Sequence, residues 1–438
     1  MTKGDANKAV AAAMSGDAQG LAESRNAACR CVTLEPSLLR EQLELESGLT
    51  GLLSQLRRTH PHLFSSTGVF VSRAVAEAMR AAIAAIERVF ALPQYQAQVL
   101  SGAPEIARMD FGPKGVFTSY DFHLSASGPR LIEVNTNAGG ALLNAALARA
   151  QRGCCVSTQG SWNGLPGYGL EDSDILAMFQ NEWRLQRGSV PAVRIAIVDD
   201  EPSAQHLAPE FELFRRLFLR HGMEAVIADP RELHFRNGRL EHMGTGVDLI
   251  YNRLTDFYLT DNGHESLRAA YQAGAIVLTP HPRAHALYAA KTNLALLRNE
   301  SQLVDWGVPV EDQRQLAAAV PLTRLVTSVN AEQLWAERRR LFFKPTAGYG
   351  ARAAYRGDKV TKRVWEEIRA GGFVAQEFVP PRDRLVDVDG AAERLKFDLR
   401  AYTYDGRIQL MAARLYRGQT TNMRTPGGGF APVLLTES

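Results

Sequence analysis

The sequence predicts an α/β (α+β) protein, in which a small layer of alternating strands and helices is inserted between two segments rich in antiparallel strands. Three observations lead to this class. The 438 residues are 45% hydrophobic and 22% charged, which is ordinary globular composition at a length that suggests about two or three domains. Residues 190–285 alternate strands such as "VRIAIVDD" with helices such as "APEFELFRRLFLRHG". On either side, "GVFTSYDFHLSASGPRLIEVN" and "LKFDLRAYTYDGRIQL" predict hairpins with turns that contain glycine.

The order of the predicted elements divides the chain into five segments. They are a helical and partly disordered N-terminal extension (1–65), a first segment with a long helix and a hairpin (66–155), a linker and helix (156–189), an α/β domain (190–288) and a C-terminal segment of strands, helices and a final hairpin (289–438). Ser72 is the predicted N-cap of the long helix "RAVAEAMRAAIAAIERVF".

Charge and hydropathy exclude several classes of protein. Lys and Arg number 50 and Asp and Glu 47, a net charge of +3, which argues against a broad nucleic-acid surface. No apolar run is long enough to span a bilayer, and the first 30 residues lack the apolar core of a signal peptide. We therefore expect a cytoplasmic protein with small-molecule substrates and neither a nucleic-acid nor a membrane partner.

Acidic and amide side chains share one face of the first predicted hairpin. Alternation along a strand points Glu133 and Asn135 the same way, and the paired strand could place Asp121 beside them. Oxygen ligands of this kind suit Mg²⁺ rather than zinc. Asn137 and the glycines that follow it suit a loop that a ligand approaches closely. The alternative is a polar rim on an edge strand.

Lys344 ends an apolar strand and precedes a turn that contains Gly348 and Gly350. Such a turn offers backbone N–H groups to phosphate oxygens, and the lysine adds a positive charge. An ordinary glycine hairpin explains the pattern equally well. In the strand "FVAQEFVPP", Gln376 and Glu377 could present backbone groups and a carboxylate to a nucleoside, or simply form an edge strand.

Basic residues crowd the last predicted hairpin and the loop that follows it. Lys396, Arg400, Arg414 and Arg417 could hold phosphate and carboxylate groups, or they could form a solvated charged face. Arg253 ends a strand of the α/β layer, at the edge of the sheet where ligands tend to bind. It is a candidate clamp for a substrate carboxylate, and an arginine that fixes a loop is the alternative.

Taken together, these segments resemble the ATP-grasp superfamily. "SYDFHLSASGPRLIEVNTNAGG" is similar to its metal-binding hairpin, "HALYAAKTNLALL" to the helix that carries a first ATP-binding lysine, "FFKPTAGYG" to the second lysine with its glycine loop, and "VAQEFV" to the strand against which adenine lies. The Glu-x-Asn motif comes before both lysines, with the α/β segment between them. This order resembles the circularly permuted branch that includes eukaryotic-type glutathione synthetase.

The resemblance implies an ATP-dependent ligase that joins a carboxylate to an amine through an acyl phosphate, on an amino acid or small peptide. It also implies ATP as a cofactor, together with two Mg²⁺ ions. The implied roles are metal binding by Asp121, Glu133 and Asn135; nucleotide binding by Lys291, Lys344, Gly348, Gly350, Gln376, Glu377 and Lys396; catalysis by Arg400, Arg414 and Arg417; and substrate binding by Arg253 and Asn137. Gly348 stands where glutathione synthetases have an acidic metal ligand, so the resemblance covers the nucleotide site and not glutathione itself.

Two other functions remain open at this level. A phosphotransferase would stop at a phosphorylated product, and a nucleotide-binding module would bind ATP without turnover. Residues 1–65 match no motif of the family, and their helices could form a dimerisation arm.

Overall fold

The computed structural model describes residues 18–45, 47–151, 169–190, 194–346 and 353–436. Gly348 and Gly350 lie outside these ranges. The strands are β1 (Val69–Ser72), β2 (Thr118–Ser125), β3 (Gly128–Asn135), β4 (Arg194–Val198), β5 (Glu224–Ala228), β6 (Leu233–Arg236), β7 (Arg239–His242), β8 (Thr245–Val247), β9 (Leu249–Asn252), β10 (Val277–Thr279), β11 (Thr323–Leu325), β12 (Leu341–Pro345), β13 (Tyr355–Arg356), β14 (Phe373–Glu377), β15 (Arg382–Val388), β16 (Ala391–Tyr404), β17 (Arg407–Tyr416) and β18 (Gly429–Thr436).

The helices are α1 (18–28), α2 (Pro36–Arg40), α3 (Leu52–Thr59), α4 (Arg73–Phe90), α5 (Pro93–Ser101), α6 (Ala141–Arg149), α7 (Asp172–Arg187), α8 (Ala208–Arg220), α9 (Glu265–Gln272), α10 (Pro282–Ala284), α11 (Thr292–Leu296), α12 (Glu300–Asp305), α13 (Val310–Ala319), α14 (Ala331–Glu337) and α15 (Lys362–Arg369). Ser72 caps α4 as predicted, since its side chain accepts a hydrogen bond from Val75 N. Within the described ranges, none of these helices combines the length and apolarity needed to cross a membrane.

A seven-stranded sheet joins strands from the two ends of the chain. Its order is β1-β18-β17-β16-β2-β3, and β15 pairs with the first half of β16. The early hairpin β2–β3 is therefore bonded directly to the late hairpin β16–β17, with Arg400 opposite Asp121. At the other edge, β1 pairs in parallel with β18. The sheet brings together residues that are separated by most of the sequence.

The two faces of this sheet have different environments. Tyr120, Phe122 and Leu399 point to one face and are buried in a core cluster with α4 and α13. Because side chains alternate along a strand, their neighbours Asp121 and Asp398 point to the opposite face. The polar residues that interrupt these buried strands therefore share one surface.

The α/β layer has the predicted parallel strands. Its sheet has the order β10-β9-β4-β5, and all three strand pairs are parallel. A separate antiparallel sheet has the order β11-β14-β12-β13. It places Lys344 of β12 opposite Val374 of β14, next to Gln376. The predicted boundaries of the five segments stay a prediction.

The helix predicted around Lys291 is interrupted. A wide helical turn covers His285–Ala289, Ala290 is extended, and α11 begins at Thr292. The Asn293 side chain donates hydrogen bonds to the carbonyls of Ala286 and Leu287, at 2.8 and 3.0 Å, so it binds backbone groups that a continuous helix would use. Lys291 therefore lies at a break between two helical segments rather than within one helix.

The described part of the N-terminal segment is packed against the body of the protein. Asn26 exchanges two hydrogen bonds with the backbone of Phe70 in β1, at 2.7 and 2.9 Å. The fully buried Arg384 donates to carbonyls at the end of α1 and to Gly68 O at 2.8 Å. These contacts attach α1 to the seven-stranded sheet through β1 and β15.

The two glycines of "NAGG" are required by packing within the protein. A Cβ atom on Gly139 would overlap Leu207 and lie 2.7 Å from Arg253 Nη2, and one on Gly140 would overlap the Phe430 ring. Gly140 also has φ +90°, a conformation that side-chain-bearing residues rarely adopt. We had expected a ligand to approach this loop at its glycines, but protein atoms occupy that space.

We expect Gly140→Ala to lower the free energy of unfolding by about 2–5 kcal/mol, because backbone strain and overlap with Phe430 add. Gly222→Ala is the matched control, since Gly222 has φ +77° with no heavy atom near the added Cβ. Denaturant unfolding of both variants measures the difference. Equal losses in the two variants would contradict the packing explanation.

Candidate functional site

A cavity of about 480 Å³ lies between the polar face of the seven-stranded sheet, the β12–β14 strands and the loops of the α/β layer. Ten of the predicted site residues line it, namely Asp121, Glu133, Asn135, Asn137, Lys291, Lys344, Gln376, Glu377, Lys396 and Arg414. These residues come from elements that are far apart in the sequence. The structure therefore gathers into one cavity the residues that the sequence suggested in separate motifs.

The floor of the cavity holds a buried network of two carboxylates and two arginines. Asp121 Oδ1 accepts from Arg400 Nε at 2.8 Å, and Oδ2 accepts from Arg400 Nη2 at 2.7 Å and from Arg414 Nη2 at 2.8 Å. Arg414 also donates to Asp398 Oδ1 at 2.7 Å. Burial opposes the charge of Asp121, but the two guanidinium groups outweigh it and lower its pKa to about 2.

This network changes the predicted role of Asp121. The carboxylate already accepts three hydrogen bonds from arginines and a fourth from Asn135 Nδ2 at 3.2 Å, which uses its lone-pair directions. As described, Asp121 anchors arginines rather than presenting an open oxygen to a metal. Arg400 is not among the described residues that line the cavity, and both of its hydrogen bonds to Asp121 lie beneath the lining; its predicted catalytic role stays a prediction.

Glu133 and Asn135 each keep an oxygen atom outside these contacts. Asn135 Nδ2 donates to Asp121 and to Glu133 Oε1, which leaves the amide oxygen of Asn135 and the second carboxylate oxygen of Glu133 for a ligand. The described residues contain no group of three or more His, Cys, Asp or Glu side chains that could hold a metal. A hard cation suits these two ligands if phosphate oxygens and water complete its shell, as is usual for Mg²⁺.

Lys344 is held at the cavity wall by two hydrogen bonds. Its Nζ atom donates to Ile132 O at 2.7 Å and to Gln376 Oε1 at 2.9 Å. Burial lowers the pKa of Lys344 to about 8; Glu133 opposes this shift, and Lys291 adds to it. Burial also lowers the pKa of Lys291. The ammonium groups of Lys344 and Lys291, both largely removed from water, therefore lie near the carboxylate of Glu133. Their positive charges would favour the binding of a further anionic group there.

Glu377 is placed at the cavity but already has partners. Its Oε2 atom accepts from Arg130 Nη2 at 3.1 Å and from Leu322 N at 3.4 Å. Its side chain is 50% exposed, so this ion pair is accessible to solvent and weak enough to rearrange. Both contacts use Oε2, so Oε1 is the oxygen that the predicted binding of hydroxyl groups would use.

Two other predicted residues lie away from the cavity. Arg417 pairs with Glu393 and is not among the lining residues. Arg253 lies behind the wall, where its Nη1 atom donates to Asn137 Oδ1 at 2.6 Å. Its guanidinium group also lies over the rings of Tyr251 and Phe211, at 5.4 and 5.9 Å. In this arrangement Arg253 fixes Asn137, which is the loop-fixing alternative.

The sequence analysis missed several lining residues. His123 follows the same alternation as Asp121, so inspection of the strand face could have found it, as alternation places Asp398 with Lys396 and Arg400. Phe257 and His285 come from a loop and a helical turn without a recognisable motif, and only the tertiary structure brings them to the cavity. His123 Nδ1 is 2.7 Å from Val379 O, and burial lowers its pKa, so we take its ring as neutral.

No family model and no curated protein matches this sequence. Solved structures do match it. A glutathione synthetase-like effector from Globodera pallida covers 92% of this chain and 98% of its own, at 12% identity and a TM-score of 0.55. At this identity the match shows the fold alone, and that fold is of the ATP-grasp type. The predicted fold class is thereby confirmed, while the permuted order of the motifs stays a prediction.

Two further structures are similar to this ATP-grasp chain at lower scores. A Methylobacillus flagellatus protein assigned as a gamma-glutamylcysteine synthetase covers 81% of this chain and 85% of its own, at 13% identity and a TM-score of 0.44. The ATP-grasp ligase PsnB, solved with a minimal precursor, Mg and ADP, covers 56% of this chain and 89% of its own, at 15% identity and a TM-score of 0.26.

We expect Asp121→Asn to lower the free energy of unfolding at pH 7 by about 3–5 kcal/mol, because it leaves Arg400 and Arg414 buried beside a neutral amide. The folded pKa of Asp121 is below its unfolded value of about 3.9, so its contribution is present above about pH 4 and lost as pH falls towards 2.

Urea unfolding of wild type and Asp121→Asn at pH 7 and pH 3 measures this contribution. The stability gap between the two proteins should be smaller at pH 3. Asp305→Asn, a substitution at an exposed aspartate, is the control and should change stability by less than about 0.5 kcal/mol. A gap that does not change with pH would exclude this ion-pair network as its source.

Proposed function

We propose that this protein is an ATP-dependent ligase that joins the carboxylate of an amino acid or small peptide to an amine. The observation that carries the proposal is the meeting, in one cavity, of Lys291 and Lys344 with Glu133 and Asn135. Paired lysines beside oxygen ligands for a cation suit a triphosphate. The ATP-grasp fold supports nucleotide binding at this place.

The proposed reaction has two steps. The substrate carboxylate attacks the γ-phosphate of ATP, which gives an acyl phosphate and ADP. The amine then attacks the acyl carbon, the amine loses a proton, and inorganic phosphate leaves with the electrons of the broken C–O bond. Neither step needs a covalent enzyme nucleophile, and neither needs an oxidant.

Each group at the cavity has a proposed role in these steps. Lys291 and Lys344 orient the phosphates and offset their charge. Arg414, held by Asp121 and Asp398, presents a fixed positive charge to the transferring phosphoryl group and then to the tetrahedral oxyanion. A divalent cation bound by Glu133 and Asn135 would add charge neutralisation at the phosphate oxygens.

We propose that the adenosine part of the nucleotide binds beside Lys344, between β14 and the strand that carries Lys396. Gln376 and Glu377 belong to β14, and the rings of Phe342 and Phe378 lie nearly parallel, at 16° and with centroids 6.4 Å apart. Lys396 lies on the facing strand and donates to Gly418 O at 2.6 Å. An adenosine group between these walls would place its triphosphate towards Lys344.

Two rival functions make different predictions. A phosphotransferase would yield a stable phosphoester from ATP and one acceptor, and a nucleotide-binding module would bind ATP without releasing ADP. Product analysis by mass spectrometry, together with an ADP assay, separates these two outcomes from amide formation.

We expect Glu133→Gln to reduce ADP release by about 100-fold or more, because the amide removes a negative ligand from the proposed cation site. The rate is measured with saturating substrates over a Mg²⁺ titration. Glu332→Gln, at an exposed helical position, is the matched control and should retain the wild-type rate. A Glu133→Gln protein that folds and turns over like wild type would refute the proposed cation site.

Nucleotide affinity should depend on pH through Lys344. The free protein has a Lys344 pKa of about 8, and phosphate binding favours its charged form. The affinity for Mg·ATP therefore has its full value below about pH 8. It decreases as pH rises above this value, by up to about tenfold per pH unit. Calorimetric titration with Mg·ATP between pH 7 and 10 measures this slope.

Lys344→Arg provides the comparison, because a guanidinium group stays charged over this range. Its affinity for ATP should change less between pH 8 and 10 than that of wild type. The same steep slope in both proteins would show that another group controls the pH dependence.

A further inference from the structure

The end of the cavity next to the α/β layer differs in character from the phosphate-binding part. Six residues line this end, which we call the α/β end: Thr136, Asn137, Thr255, Phe257, His285 and Tyr288. None of the six is an acid, a lysine or an arginine. Three of them are rings.

The position of this end follows from contacts along a single stretch of chain. Ile132 O accepts from Lys344 at the phosphate side, and Asn137 Nδ2 donates to Leu254 O of the α/β layer at 2.8 Å. Glu133 and Asn135 lie between these two contacts. The α/β end therefore adjoins the proposed cation ligands where this stretch continues into the α/β layer, and the contact with Lys344 comes before them in the stretch.

Rings form the wall of the α/β end. Phe257 and His285 are stacked with centroids 3.8 Å apart and an interplanar angle of 7°, and Tyr258 meets His285 edge-on at 5.4 Å and 83°. The Tyr288 hydroxyl is hydrogen-bonded to the half-buried Glu87, which is not among the residues that line the cavity. Phe257 is only partly buried and is among the residues that line the cavity.

The polar groups at this end are engaged by the protein. Asn137 Oδ1 accepts from Arg253 at 2.6 Å, and Asn137 Nδ2 donates to Leu254 O. His285 Nδ1 is 3.4 Å from Thr136 Oγ1, and burial, aided by the charge of Lys291, lowers the pKa of His285 to about 3, so the ring is neutral. A charged side chain placed among these six groups would lose water and gain no ionic partner from them, which is costly; the ammonium of Lys291, which acts on His285, is assigned to the phosphates.

We infer that the α/β end binds the aromatic side chain of the acid that the enzyme activates, so that the carboxylate substrate is an aromatic amino acid or a peptide that carries one. This inference rests on the proposed function, since it assumes that the substrate carboxylate lies at the cation ligands. A planar, uncharged group stacks on rings arranged in this way and needs no ion pair.

Direct binding tests the inference independently of turnover. L-phenylalanine, L-leucine, L-glutamate and L-lysine are titrated by calorimetry into the full-length protein with Mg²⁺ and a non-hydrolysable ATP analogue. We expect L-phenylalanine to bind at least about tenfold more tightly than L-leucine, and the two charged amino acids to bind more weakly still. Equal or tighter binding of L-leucine or of a charged amino acid overturns the inference.

Variants of Phe257 identify the ring that is responsible. Phe257→Leu keeps apolar volume but removes the ring, so it should lose the preference for L-phenylalanine over L-leucine, while Phe257→Tyr should keep it. Phe235→Leu is the matched control, because Phe235 is also partly buried but belongs to β6 and is not among the lining residues, and it should keep the preference. A Phe257→Leu protein with an undiminished preference overturns the inference.

Hydroxylamine trapping separates this inference from the proposed function. With ATP, Mg²⁺ and hydroxylamine, an acid activated as an acyl phosphate gives a hydroxamate and ADP. Selective L-phenylalanine binding without hydroxamate supports the aromatic site and refutes the ligase proposal. Hydroxamate formation that favours aliphatic or charged acids supports the ligase proposal and overturns the aromatic site.

Discussion

The ion-pair network of Asp121 with Arg400 and Arg414 joins the two halves of the site. Asp121 belongs to β2, near the start of the described chain, whereas both arginines belong to the hairpin β16–β17 near its end. A buried carboxylate is costly without partners, and two buried guanidinium groups are costlier still. Each charge therefore requires the others, and the pairing fixes the register of β2 against β16.

The rest of the cavity depends on this register. Once Arg400 lies opposite Asp121, the returning strand β3 places Glu133 and Asn135 beside it, and β17 places Arg414 over Asp398. A shift by one residue would turn all these polar side chains into the apolar core on the other face of the sheet. The functional surface and the stability of the sheet therefore rest on the same contacts.

Comparison with the sequence analysis shows which residues local patterns could place. Strand alternation predicted that Glu133 and Asn135 share a face, and the fold confirms this because the period of a strand is fixed by its backbone. The same rule could not distinguish Arg400 from Arg414. Arg400 is hydrogen-bonded to Asp121 and does not line the cavity, whereas Arg414 does. That difference depends on which residues form hydrogen bonds with each guanidinium group. Arg253 is a similar case, since Asn137 engages it from a distant loop.

The sequence by itself determined the α/β class, the hairpins and the helix cap at Ser72. These features depend on residue type and short spacing, which local backbone geometry converts directly into structure. Only the tertiary structure decided that Asp121 is saturated by arginines, that Lys291 lies at a break between helical segments, and that Phe257 stacks on His285. These are contacts between residues far apart in the chain, and their geometry follows from how the elements pack.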